Sequence, residues 1–211
     1  ELASGINGGI RGNKYANGAG GTYSVVEIGG QCWMQENIDV NPAGSIAHDG
    51  STDTGWYGYY STTYQAAGEG TLLQWSAAMN GATTERAQGV CPTDWHVPSD
   101  CEWMYLENSL GMTIAEQQGT GFRDSGSVGS KLSTFTNNGT GTNSSGFTAL
   151  LAGYRVTNGT FNNRGTIGFW WSSSETSASN AHRRLLRSSQ AGVYRSSLTK
   201  AYGFSVRCLK D

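Results

Sequence analysis

Hydrophobic and polar positions change period several times along this chain, and each change predicts an element. In "TYSVVEIGGQCWMQENI", Tyr23, Val25 and Glu27 alternate with Ser24, Val26 and Ile28, ahead of Gly29-Gly30. The alternation predicts two strands and the glycine pair a tight turn joining them. In "TLLQWSAAMNG", the helix formers Leu72, Leu73, Ala77, Ala78 and Met79 run up to Gly81, which predicts a short helix. In "VPSDCEWMYLENSLGM", Trp103, Leu106 and Leu110 fall at i, i+3 and i+7. Ser99 with Glu102 forms a capping box before them and Gly111 supplies the stop. Trp103 and Leu106 are expected in the core.

Beyond residue 119, glycine and serine punctuate short apolar pieces. "GFTALLAGYRV", "GTFNNRG", "IGFWWSSS" and "AYGFSVRCLK" each suit a strand of about four to six residues. Residues 1–20 are Gly/Asn-rich without periodicity and read as an arm or loops. Residues 41–71 read as a long loop or short irregular strands. Two helices in the middle with strands at both ends make an α+β arrangement over residues 21–211. The N-terminal strands and the last strand are expected to pair and bring the termini together.

Composition sharpens this picture. Charged residues are only 14% of the chain, aromatics reach 11%, and there are 31 glycines. Low charge with many aromatics excludes a disordered chain and fits a loop-rich globular domain. A net charge of −2 argues against a general nucleic-acid binder. The charge is unevenly spread. From Ser172 onward Arg183, Arg184, Arg187, Arg195, Lys200, Arg207 and Lys210 face only Glu175 and Asp211. Either these arginines are paired inside the fold or they form a cationic surface patch; the sequence leaves both open. No apolar run is long enough for a membrane span. The "ELASG" start shows no signal peptide and is not a natural beginning, so removal of a leader or upstream region is expected.

The residues that could carry chemistry form no catalytic pattern. Cys32, Cys91, Cys101 and Cys208 lack CxxC spacing, which argues against a zinc ribbon or thioredoxin-like motif and leaves three pairings open. His48, His96 and His182 are far apart and are expected to be structural or at the surface, with His96 packed beside the capped helix. Asp49, Asp53 and Glu69 share a loop but lack calcium-binding spacing. No GxSxG elbow or phosphate-binding glycine motif occurs, and the serines of "SSSE" read as a turn. Sequon matches at Asn138, Asn143 and Asn158 carry little weight in so Asn/Thr-rich a chain. No enzymatic activity, cofactor or metal is expected.

Six stretches occur in order: "IGGQCWMQENI", "LLQWSAAMNG", "GVCPTDWHVPSDCEW", "SSGFTALLAGYR", "FWWSSSE" and "YGFSVRCLKD". Together they resemble the Fibrobacter succinogenes major paralogous domain family from about residue 20 to 211. The resemblance implies a C-type-lectin-like domain, in the branch that includes formylglycine-generating enzymes. It also implies kinship with the variable proteins of diversity-generating retroelements, in which mutagenic reverse transcription rewrites a C-terminal segment at adenines. Residues 176–201 take that place, between "WWSSSE" and "YGFSVRCLKD" as constant flanks. Family-typical residues stand at Arg184, Leu186, Val193 and Arg195. A ligand-binding role carries over to His182, Arg183, Leu185, Arg187 and Ser188. It extends to the nearby Thr176, Ser177, Ser179, Ser189, Tyr194, Ser196, Leu198, Thr199 and Ala201. The family's cysteines lie at the places of Cys91 and Cys208, the implied disulfide; Cys101 departs from the family pattern.

Strand alternation agrees with this division. Arg183, Leu185, Arg187 and Ser189 share one face, expected to be exposed, and Arg184, Leu186 and Ser188 share the other. Arg184 and Arg195 are expected to be partly buried and paired. The resemblance thus implies a binding protein of the cell surface or a virion, with an unknown macromolecular ligand, a protein first and a glycan second. The alternatives are a non-diversified adhesion or carbohydrate-associated module and a cysteine-dependent oxidase.

Overall fold

The computed structural model describes residues 14–16, 22–40, 46–47, 55–58, 67–134 and 141–211. The candidates His48, Asp49 and Asp53, and most of the 1–20 arm, lie outside these residues. Strands β1 (Lys14–Ala16), β2 (Thr22–Ile28) and β3 (Gln31–Met34) come first, followed by β4 (Ile46–Ala47), β5 (Trp56–Gly58) and β6 (Leu72–Leu73). Next are α1 (Trp75–Ala78), β7 (Trp95–His96), α2 (Asp100–Ser109), α3 (Ile114–Gln117), β8 (Gly121–Arg123) and α4 (Val128–Leu132). The C-terminal third holds β9 (Tyr154–Arg155), β10 (Phe161–Asn162), β11 (Ile167–Glu175), β12 (Asn180–Arg187), β13 (Val193–Thr199) and β14 (Leu209–Lys210).

The predicted hairpin forms as β2–β3, with Val26 opposite Trp33 and Ile28 opposite Gln31. Gly29 and Gly30 turn the chain at φ of 60° and 83°, a region that an L side chain resists. At Gly29 a Cβ would also lie 2.1 Å from Ser109 Oγ, so this turn packs directly onto the end of α2. The last strand joins the first ones. Leu209 of β14 pairs antiparallel with Trp33 and with His96, giving the order β1-β2-β3-β14-β7. The expected meeting of N-terminal and C-terminal strands is therefore present.

The capped helix is α2. Ser99 Oγ accepts from the Glu102 amide at 3.2 Å, and Glu102 Oε2 accepts from the Ser99 amide at 2.8 Å. Gly111 follows at φ of 105°. Removing this cap should have a modest, measurable effect. Ser99→Ala is expected to lower the urea-measured unfolding free energy by about 1 kcal/mol; an unchanged midpoint would mean that the first turn is held by its tertiary contacts alone. His96 packs beside the helix as expected, with Nε2 3.0 Å from Glu102 Oε1 and Nδ1 2.5 Å from Asp211 Oδ1. Burial pulls its pKa down, but the Glu102 and Asp211 carboxylates outweigh that and leave it raised.

Several expectations change. The serines of "SSSE" are not in a turn; Ser172, Ser173 and Ser174 are buried within β11. The helix expected over 71–81 shrinks to one turn, Trp75–Ala78. Leu73 is captured by the sheet instead, exchanging backbone hydrogen bonds of 2.9 and 3.0 Å with Phe204. "GFTALLAGYRV" is mostly irregular, because Gly146, Thr148 and Gly153 all adopt positive φ and break the extended run. "YGFSVRCLKD" is not one strand. Gly203, Phe204 and Ser205 bridge to Arg155, Leu73 and Trp170 in turn, and only Leu209–Lys210 joins the terminal sheet. The segment changes partner from residue to residue, so it touches strands of three sheets before joining the terminal one.

The sheet β11-β12-β13-β8 separates two cores. On one side Trp170, Leu186 and Val193 pack with Trp103 and Leu106 of α2 and Val128 and Leu132 of α4. On the other, Phe169, Trp171 and Leu185 pack with Trp75, Trp95 and Phe204. Cys91 and Cys208 are joined by a disulfide, while Cys32 and Cys101 are free.

Candidate ligand-binding face

Residues 176–201 form one continuous unit: the 176–179 turn, β12, the 188–192 turn and β13. β12 lies between β11 and β13, with Arg183 opposite both Trp171 and Ser196 and Leu185 opposite both Phe169 and Tyr194. Cross-strand partners share a face. Arg183, Leu185 and Arg187 therefore stand with Tyr194, Ser196 and Phe122 on one side of the sheet. Arg184, Leu186, Arg195 and Arg123 stand on the other, against α2.

The side against α2 is held by a buried ion network. Arg184 donates from Nη1 to Asp100 Oδ1 at 2.6 Å and from Nε to Glu107 Oε1 at 2.6 Å. Arg195 donates from Nη2 to Asp100 Oδ2 at 2.6 Å, and Arg123 grips Glu107 through two bonds of 2.7 Å. Burial alone would raise the Asp100 pKa; Arg195 and Arg184 outweigh it and hold the carboxyl well below the usual carboxylate range. Burial opposes the Arg184 cation, but Glu107 and Asp100 more than compensate and its pKa is raised. Arg184 and Arg195 are thus buried and paired as expected. Their partners were missed, although the sequence carried a signal: Asp100 and Glu107 lie seven residues apart, close to the apolar stripe of Trp103 and Leu106.

The opposite side differs from the expected exposed surface. Arg187 and Ser189 are exposed, but Arg183 is 9% and Leu185 5% exposed. Aromatic rings account for much of this cover. The Arg183 guanidinium carbon lies 4.7 Å from the Phe169 ring centre and 5.3 Å from that of Tyr194. Tyr154 packs edge-on to Phe169 at 4.8 Å. Around these, Tyr154, Tyr194, Ser196, Leu198 and Tyr202 remain half-buried. Arg187 reaches over Phe122, 5.6 Å from its ring centre.

The remaining predicted residues fall elsewhere. Thr176, Ser177 and Ser179 are exposed at one end of the sheet, where the Lys200 amide donates to Ser179 O and brings Thr199 and Ala201 alongside. Lys200 pairs there with Glu175 and covers Trp75. Ser188, at the far end, is buried. His182 lies on the α2 side, with Nδ1 3.8 Å from Asp100 Oδ1, so it does not share the face of Arg183. Burial lowers its pKa, partly offset by Asp100.

The basic excess of this region is thus largely internal. Arg183, Arg184, Arg195 and Arg207 are all buried, which rules out reading it as a broad cationic surface patch. Arg207 is satisfied by carbonyl oxygens, including Met34 O at 3.0 Å and Asn37 Oδ1 at 2.9 Å. Burial pushes its pKa down to about 9. Glu69, offered above as a loop carboxylate, is engaged by Arg164 at 2.7 Å. Among the described residues, no group of three His, Cys, Asp or Glu side chains is placed to hold a metal. No described helix is long and apolar enough to cross a membrane.

The family model of the Fibrobacter succinogenes major domain matches residues 26–210. The chain belongs to that family. No curated protein and no solved structure matches it. In this family member the matched span takes in the hairpin from Val26 on, α2, the whole C-terminal sheet and both disulfide cysteines.

Proposed function

We propose that this chain is a ligand-binding protein that presents a diversified site on a C-type-lectin scaffold, as variable proteins of diversity-generating retroelements do. The observation that supports this reading is the division of labour across β12 and β13. One side is tied to α2 through Asp100 and Glu107, whereas the other mixes cation, aliphatic, aromatic and hydroxyl groups in Arg183, Leu185, Arg187, Tyr194, Ser196 and Leu198. Side chains on the second side can change without breaking the ion network of the first. Binding residues carried on a rigid scaffold are a recurring arrangement, and arginine and tyrosine are favoured anchors.

On this reading the ligand is a macromolecule, a surface protein first and a glycan second, and the chain is not an enzyme and takes no cofactor. The Cys91–Cys208 disulfide is consistent with secretion, since such bonds persist in oxidising compartments. The proposed location is a cell surface or a virion. The alternative within the family is a non-diversified adhesion or carbohydrate-associated module.

Sequencing the gene's neighbourhood separates the two. A reverse transcriptase gene and a near-copy of the segment encoding residues 176–201 are expected. The two copies should differ at adenines in codons for Arg183, Leu185, Arg187, Tyr194, Ser196 and Leu198, and agree at Arg184, Leu186, Val193 and Arg195. A locus with neither gene nor copy would sink the diversified reading and favour the adhesion module.

A further inference from the structure

Arg183 differs from its buried neighbours. Arg123, Arg184, Arg195 and Arg207 each donate hydrogen bonds to carboxylates or carbonyls. Arg183 is 9% exposed, yet among the described residues its buried Nε and Nη1 have no hydrogen-bond partner and it forms no ion pair. Burial pushes its pKa down to about 10, so it stays charged at neutral pH. The rings of Phe169 and Tyr194 lie within cation–π distance of the guanidinium. Such contacts compensate the charge in part but do not satisfy in-plane N–H donors, and a buried donor left unpaired is costly. Local violations of this kind concentrate at functional sites.

We propose that Arg183 is the floor of a carboxylate-binding subsite, filled by an acidic side chain of a protein ligand. This rests on the ligand-binding reading above and names the chemistry that reading lacks. A guanidinium fork matches a carboxylate through two parallel hydrogen bonds, and aromatic walls keep water from competing. The half-buried surroundings, Tyr154, Tyr194, Leu198 and Tyr202, are apolar or aromatic with Ser196 among them. That setting suits one charged group flanked by apolar contacts, the pattern of a protein hot spot. Because Arg183 belongs to the segment read as rewritten, the subsite describes this variant and not its sisters.

The test uses the intact chain, isotopically labelled, and follows the Arg183 Nε–H resonance by NMR. Sodium acetate at constant ionic strength is expected to shift it saturably, with half-saturation on the order of 10–100 mM. Sodium chloride should not. N-acetylglutamate should bind at least as well as methyl glucuronide. No saturable response to acetate, or an equal response to chloride, would overturn the subsite; a glucuronide binding about tenfold tighter would overturn the protein-side-chain assignment. Arg183→Met keeps the stacking volume and removes the charge. It should abolish the acetate-dependent rise in melting temperature while itself melting about 2–4 °C higher. A lower melting temperature would mean that the guanidinium is already satisfied, and would count against the proposal. These outcomes are independent of the locus: a reverse transcriptase gene with a silent Arg183 refutes the subsite alone, and a responsive Arg183 without that gene refutes diversification alone.

Discussion

Replacing Asp100 with alanine is expected to lower the unfolding free energy by about 3–5 kcal/mol at neutral pH. Asp100 is the first residue of α2 and is 6% exposed. Its carboxylate receives Arg184 at 2.6 Å and Arg195 at 2.6, 3.0 and 3.1 Å. Without it, among the described residues Arg195 retains the carbonyls of Gln118 and Gly119, and Arg184 retains the Asp100 backbone carbonyl at 3.2 Å and a Glu107 already gripped by Arg123. Arg123 and Arg184 would then share one carboxylate, and Arg195 would be buried with none. Asp100→Asn keeps the shape but not the charge, and should lose nearly as much. The pH dependence has a defined sign. Because the folded pKa of Asp100 is depressed, its contribution is full above the unfolded carboxylate value, about 3.9. It is lost as the pH falls through the lower folded value. The stability gap between parent and Asp100→Ala should therefore persist at neutral pH, begin to narrow below about pH 4 and close only as the pH passes the lower folded value. Equal stability at neutral pH would show that the network is not what holds β12 and β13 to α2.

Removing the disulfide is expected to have an effect of similar size. Cys91 and Cys208 are 117 residues apart in sequence, and closing so long a loop restricts the unfolded chain strongly. Reduction, or replacement of both cysteines by alanine, should lower stability by about 3–5 kcal/mol and the melting temperature by roughly 10 °C. Cys101 is exposed and free, so Cys101→Ser should leave the transition within about 0.5 kcal/mol of the parent. Calorimetry with and without reductant reads both. A transition indifferent to reductant would mean that core packing around Phe204, Val206 and Leu209 already secures the last segment.

The elements legible in the sequence are those whose causes are local. The Gly29-Gly30 turn needs positive φ at both positions, and the capping box of α2 lies within four consecutive residues. Leu72 and Leu73 show the limit. Their helix propensity is real, yet a backbone pairing with Phe204, far along the chain, draws them into a strand. The candidate site divides the same way. Alternation correctly separates Arg183, Leu185 and Arg187 from Arg184 and Leu186, because the two-residue period belongs to the strand itself. It does not report which side is covered. Tyr154, Tyr202 and Phe204 shield the side expected to be open, and they arrive from two distant segments.

By itself the sequence determined the α+β class, the β2–β3 hairpin, the capped α2, the paired character of Arg184 and Arg195, and membership of a family whose cysteines mark the disulfide. Only the tertiary structure decided that Asp100 and Glu107 are the partners, that His182 faces α2, and that Arg183 is buried between aromatic rings with no acceptor among the described residues. The reason is sequence distance. Arg184 and Arg195 meet Asp100 across 84 and 95 residues, and no local pattern encodes which carboxylate a folded sheet will bring to a given guanidinium.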